Sequence, residues 1–199
     1  RTVSDYVEVV EKLSDQPVDL LEINVSCPNV RHGGIAFGQH PRSLFDITKE
    51  IKAKAKQPII MKLSPNVTDI TEMARAAEAA GSDAVSLINT ITGMKIDVHK
   101  RTFALANKTG GLSGPAIKPV AVRMVYQAAN AVSIPVIGMG GIANAEDAIE
   151  FMLAGATGVA IGAMNFVNPY TTMEVVKGIE DYMRQYGIEN LGEIIGAVK

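Results

Sequence analysis

The chain has one cysteine in 199 residues, Cys27. A single thiol excludes an internal disulfide. It also excludes a self-contained iron–sulfur cluster, which usually takes four thiolates. Cysteine usage of this kind fits a reducing, cytoplasmic setting. No apolar run approaches the roughly 18 residues of a membrane span, and no signal peptide is visible. Charge of one sign is also lacking. The formal net charge is -2, and the densest cationic cluster, Lys49 to Lys56, reads as the wet face of a helix. Neither a nucleic-acid nor a membrane surface is expected. The three histidines, His32, His40 and His99, show no metal-ligand spacing, so no metal site is expected. No G-x-G-x-x-G follows the first strand pattern, and the chain does not open with methionine.

What is present is alternation. Five short apolar runs recur: VDLLEINV (18–25), PIIMKL (58–63), DAVSLIN (83–89), IPVIGMG (134–140) and TGVAIGAM (157–164). They do not alternate apolar and polar cleanly, which fits strands of a parallel sheet covered on both faces. Helical patterns separate them. Ser4 is a candidate cap for the first helix, Pro41 opens the second, and Thr68 caps a helix through Ala80. Asn144 caps a further helix, and Asn168-Pro169 opens the last long one. Strand–helix alternation predicts an α/β fold with a parallel sheet. Residues 1–199 read as a single domain.

An open doubly wound sheet and a (β/α)8 barrel compete. Polar and glycine residues follow the strand ends: NVSCPN, KLSPN, NTITG, GMGGI, GAMNF. Both folds place sites there. The missing dinucleotide fingerprint weakens the open sheet. The glycines closing the last two strands favour a barrel, whose final loops commonly bind phosphate. The expectation is a (β/α)8 TIM barrel of which this chain supplies about the last five strand–helix units.

Cys27 lies just beyond a strand, in a loop with Pro28. A lone cysteine is most often a small buried hydrophobe, but this position also suits a nucleophile or a base. Lys62 ends an otherwise apolar strand. It reads as a snorkelling side chain at the rim, as a Schiff-base lysine, or as a cation facing an anionic cofactor. Gly140 and Gly141 precede the helix capped by Asn144, where backbone N–H groups can approach a phosphate. A glycine pair alone is weak evidence, and the second stretch, IGAM at 161–164, strengthens it. The segment NKTGGLSGPAIKP (107–119) reads as a long polar loop, either a flexible lid or a wall of the site.

The stretches EINVSCPNV, IIMKLSPNV, LINTITGMKID, ANKTGGLSGPAIKPVAVR and IPVIGMGGIANAEDAIEFMLAGATGVAIGAMNF resemble the class 1 flavin-dependent dihydroorotate dehydrogenases, in order and over nearly the whole chain. The 106–119 loop is similar to that of class 1B, the NAD-linked catalytic subunit, rather than the fumarate-linked class 1A. Class 2 relatives use serine where this chain has Cys27. The resemblance implies an FMN-containing (β/α)8 barrel that oxidises dihydroorotate to orotate in pyrimidine synthesis. It implies that Cys27 is the catalytic base, and that Asn24, Asn29, Asn89 and Thr90 contact substrate, Asn24 also reaching the flavin. Lys62 matches the lysine beside the flavin ring. Ile88 and Gly114 match flavin-contacting positions, and Gly140, Gly141, Gly162 and Ala163 match the phosphate cradle. The family usually has threonine where Ala163 stands, so a hydroxyl donor is lost there while a backbone donor survives.

The class 1B resemblance further implies a partner subunit carrying FAD and a 2Fe–2S iron–sulfur cluster, and a homodimer of barrels within a hetero-oligomer. Against the family pattern, the N-terminal third with three strands is missing. Three other readings compete with the NAD-linked one: a class 1A enzyme, a non-redox barrel lyase using Lys62 as a Schiff base, and an inactive fragment.

Overall fold

The computed structural model describes residues 2–26 and 34–198. It opens on helix α1 (Val3–Ser14). Thr2, not Ser4, is the N-cap: its Oγ1 accepts from the Asp5 N–H, and the Asp5 carboxylate accepts from the Thr2 N–H. A reciprocal capping box satisfies two orphan donors where Ser4 alone offers one hydroxyl. Strand β1 (Leu21–Asn24) follows, then α2 (Gly34–Gln39), α3 (Pro41–Lys52), β2 (Ile59–Lys62), α4 (Ile70–Ala79) and β3 (Ala84–Leu87). Asp69, one residue beyond Thr68, caps α4 by accepting from the Thr71 N–H at 2.8 Å.

Two antiparallel pairs interrupt the alternation after β3. Strand β4 (Ile91–Met94) pairs with β7 (Thr109–Leu112), and β5 (Ile96–Asp97) with β6 (Thr102–Phe103). The chain then resumes with α5 (Lys118–Ala129), β8 (Val136–Met139), α6 (Ala145–Leu153), β9 (Gly158–Ala160) and α7 (Thr171–Tyr186).

The five main strands form one parallel sheet in the order β1-β2-β3-β8-β9. Each is followed by a helix, so the chain supplies five consecutive strand–helix units of a (β/α) barrel, as the run spacing predicts. The strands are shorter than the apolar runs, which extend past the ladder at both ends, while the polar Asn24 and Lys62 remain paired within it. β1 and β9 are the two ends of the sheet.

The core lies between sheet and helices. Leu21, Ile23, Met61, Val85 and Leu87 meet Leu44, Ile47 and Ile51 of α3, Met73, Ala74 and Ala77 of α4, Val125 of α5 and Phe151 of α6 in one buried cluster. Burying each large aliphatic or Phe side chain contributes about 1.5–3 kcal/mol. A Cβ on Gly138 would lie 2.5 Å from Phe151 Cδ1, so α6 sits directly on the backbone of β8. Along β1 the burial alternates: Leu21 and Ile23 are buried, Glu22 and Asn24 exposed. The second face of the sheet therefore carries polar groups. Among the described residues no helix is long and apolar enough to cross a membrane.

Candidate active site

Because the strands are parallel, all their C-terminal ends open on one side. A cavity of about 510 Å³ lies there, within the usual range for small-molecule sites of about 300–1,000 Å³. Nine of the residues expected to form the site line it: Lys62 from the end of β2; Ile88, Asn89 and Thr90 after β3; Gly114 before α5; Gly140 and Gly141 after β8; and Gly162 and Ala163 after β9. They are scattered over a hundred positions in sequence. Cys27 and Asn29 lie outside the described residues. Asn24 is not part of the lining but is tied to it. Its Oδ1 accepts from Ser26 N at 3.1 Å, Ser26 Oγ at 3.0 Å and Asn89 Nδ2 at 3.4 Å. Asn89 Nδ2 also donates to Ser26 O and Oγ, while Asn89 Oδ1 accepts from Thr90 N. Ser26 is buried, so this small network fixes both asparagines at the β1 and β3 ends.

Lys62 is half-buried on the cavity wall. Among the described residues no carboxylate is within ion-pair distance of it. A partly buried, unpaired ammonium is costly unless something anionic or electron-rich shares its space. Asp147, by contrast, is fully committed. Its Oδ1 accepts from Lys118 Nζ at 2.6 Å and its Oδ2 from Ala143 N at 2.9 Å, and Lys118 Nζ also lies 2.6 Å from Glu150 Oε2. The Asn144 Oδ1 cap takes the Asp147 N–H at 3.0 Å. These donors at the start of α6 are thus used within the chain.

Gly140 and Gly141 have φ of +126° and +81°, in the left-handed region that favours glycine. A Cβ on Gly141 would lie 2.8 Å from Gly114 O, 2.9 Å from Lys118 Cβ and 3.0 Å from Lys118 N. The two glycine-bearing segments are therefore in direct contact. At Gly114 and Gly162 a Cβ would meet nothing within 4 Å. Bare backbone there faces open space, as close approach of a ligand requires. Lys62, unpaired among the described residues, and this open glycine backbone in the same cavity fit a ligand with both an electron-rich ring and a phosphate, as FMN has.

Several contributors escape a reading of the sequence. Glu22 lines the cavity from β1 and accepts from Ser86 Oγ of β3 at 2.6 Å. Its signal is its place two residues before Asn24, on the same strand face. Asn66 holds the chain after β3: its Nδ2 donates to Thr90 O at 3.0 Å and its Oδ1 accepts from Thr92 N at 2.9 Å. Ser113 joins the expected Gly114 in the lining, directly after β7. The glycine-rich segment is thus a wall of the site, built on the β4–β7 pair.

The Asp147 network carries a pH signature. Burial alone would raise the Asp147 pKa, but the bonds from Lys118 and from backbone N–H groups outweigh it, and the carboxyl sits below its ordinary value. The hydrogen bonds to Asp147 and then Glu150 hold the Lys118 ammonium above its ordinary value. A depressed carboxyl contributes stability above its unfolded pKa, about 3.9, that is lost as pH falls through the folded value. The native protein is therefore expected to lose resistance to urea as pH is lowered below about 4. Asp147→Asn is expected to flatten that dependence. Equal acid sensitivity of variant and wild type in urea titrations would remove Asp147 as its source.

Residues 1–183 match the family model described as dihydroorotate dehydrogenase. The chain belongs to the dihydroorotate dehydrogenase family. It is 66% identical, over its whole length, to the dihydroorotate dehydrogenase B (NAD(+)) catalytic subunit of Lachnoclostridium phytofermentans, and spans 66% of that protein. It is 65% identical over 98% of its length to the protein of the same name from Alkaliphilus oremlandii, of which it spans 65%. Among solved structures it superposes on the DHODH of Eimeria tenella in complex with ferulenol with a TM-score of 0.81. That match has 22% identity and covers 98% of this chain and 57% of the other. At that identity the likeness shows the fold, a barrel in which this chain occupies five units.

Proposed function

We propose that this chain forms the FMN-binding catalytic part of a cytoplasmic, NAD-linked dihydroorotate dehydrogenase that converts dihydroorotate to orotate in pyrimidine synthesis. The observation that carries the reading is convergence. Residues matching the family's substrate, ring and phosphate positions, far apart in sequence, line one cavity at the strand ends. Relatives named as NAD(+)-type catalytic subunits support the NAD linkage.

In this reading Cys27 is the base that removes the proton from C5 of dihydroorotate. Asn24, Asn29, Asn89 and Thr90 hold the flat, amide-rich ring so that C5 faces the thiol. The fixed Asn24–Ser26–Asn89 network pre-orients two of these amides, which reduces the ordering cost of binding. FMN, when bound, supplies the acceptor for the hydride leaving C6, so that loss of a proton and a hydride leaves the C5–C6 double bond of orotate. Lys62 supplies a positive charge beside the flavin ring, Ile88 and Gly114 contact the flavin, and Gly140, Gly141, Gly162 and Ala163 cradle the phosphate through backbone N–H groups.

Electrons leave through a second subunit carrying FAD and a 2Fe–2S cluster, docked on a homodimer of barrels. With dihydroorotate as donor, the native protein freed of its partner is expected to reduce artificial acceptors but not NAD⁺, and adding the partner restores NAD⁺ reduction. Comparable NAD⁺ turnover without the partner would overturn the two-subunit reading. A preference for fumarate would replace it with a class 1A enzyme.

A further inference from the structure

Lys118, Asp147 and Glu150 lie outside the residues assigned to the site, yet they brace its glycine turn from behind. Lys118 is the first residue of α5, and Asp147 lies in the first turn of α6. The Lys118 side chain crosses between the two helix starts to reach both carboxylates at 2.6 Å. Its backbone, with Gly114 O, is what Gly141 rests on. The second Asp147 oxygen holds Ala143, two residues beyond Gly141, by its N–H. The side chains of Lys118 and Asp147 are only 26% and 12% exposed, so water screens this pair weakly, and Glu150, 47% exposed, more strongly.

The charges do not cancel: one ammonium faces two carboxylates beside a turn proposed to hold a dianionic phosphate. Without Lys118, both carboxylates would oppose that anion. We infer that Lys118 is a positioning residue for the phosphate end of the flavin, fixing the Gly140–Ala143 turn and neutralising Asp147 and Glu150 behind it. This rests on the phosphate-cradle reading of Gly140, Gly141, Gly162 and Ala163. It predicts an effect on phosphate recognition and not on the ring.

The test compares FMN with riboflavin, which lacks the phosphate, in the native protein stripped of flavin. Lys118→Met is expected to weaken FMN roughly tenfold or more while riboflavin changes by less than about threefold. Adding Asp147→Asn and Glu150→Gln to Lys118→Met is expected to restore most of the FMN preference, since the asparagine oxygen still accepts from Ala143 N–H. In the presence of Lys118, the Asp147→Asn/Glu150→Gln pair alone is expected to raise that preference above wild type, which makes the test independent of how well Lys118→Met folds. Equal weakening of both flavins by Lys118→Met, or no gain in preference on removing the carboxylates, would overturn the inference. A wild type that binds FMN no better than riboflavin would instead overturn the cradle reading beneath it.

Discussion

Cys27→Ser is expected to slow dihydroorotate oxidation at pH 7 by roughly 10²–10⁴-fold, the usual size of a general-base contribution, with flavin still bound. The thiol has an ordinary pKa of about 8.5, which leaves roughly a few per cent ionised at pH 7. A serine hydroxyl is a far weaker acid and is rarely ionised there. The deficit is therefore expected to narrow as pH rises. Most of the proposed flavin contacts lie at the ends of β2, β3, β8 and β9 and before α5, with Asn24 of β1 the exception, so binding of FMN measured by its fluorescence is expected to stay within about threefold of wild type. An unchanged rate at pH 7 would remove Cys27 from the role of base.

Gly141→Val is expected to abolish most FMN binding. The φ of +81° is one that a β-branched residue adopts only under strain, at about 1–3 kcal/mol. The added Cβ also meets Gly114 O at 2.8 Å and the Lys118 backbone N at 3.0 Å, and neither is the flexible end of a side chain. The turn must move away from α5, and overpacking of this kind costs a further 1–3 kcal/mol or so. If the turn relieves the strain by leaving the cradle geometry, FMN affinity falls by about 10²-fold or more. Equilibrium dialysis of FMN against the stripped variant measures this. Wild-type affinity in a folded variant would place the phosphate elsewhere.

The parts of the fold visible in the sequence are those set by local chemistry. Five buried runs, each closed by polar or glycine residues, place strands and strand ends, and parallel strands put those ends on one side. That reasoning alone groups Lys62, Asn89, Gly140 and Gly162. What is not legible depends on pairing or on competition between near-equal candidates. β7 is Thr-Gly-Gly-Leu, a poor strand by propensity, and it forms because it pairs with Ile91–Met94. Thr2 and Ser4 are both acceptable caps; Asp5 decides for Thr2 by answering it. Glu22 lies inside an apolar run and shows its role only once Ser86 of another strand stands opposite. Lys118 and Asp147 are 29 residues apart, and nothing local in either segment announces the pair.

The most direct test mixes dihydroorotate with the native, flavin-loaded protein in the absence of oxygen and of any other acceptor. The account predicts bleaching of the flavin's visible absorbance with formation of about one orotate per flavin, since a hydride transfer reduces the cofactor by two electrons. A flavin that stays oxidised with dihydroorotate, in a preparation that dithionite reduces fully, would contradict it.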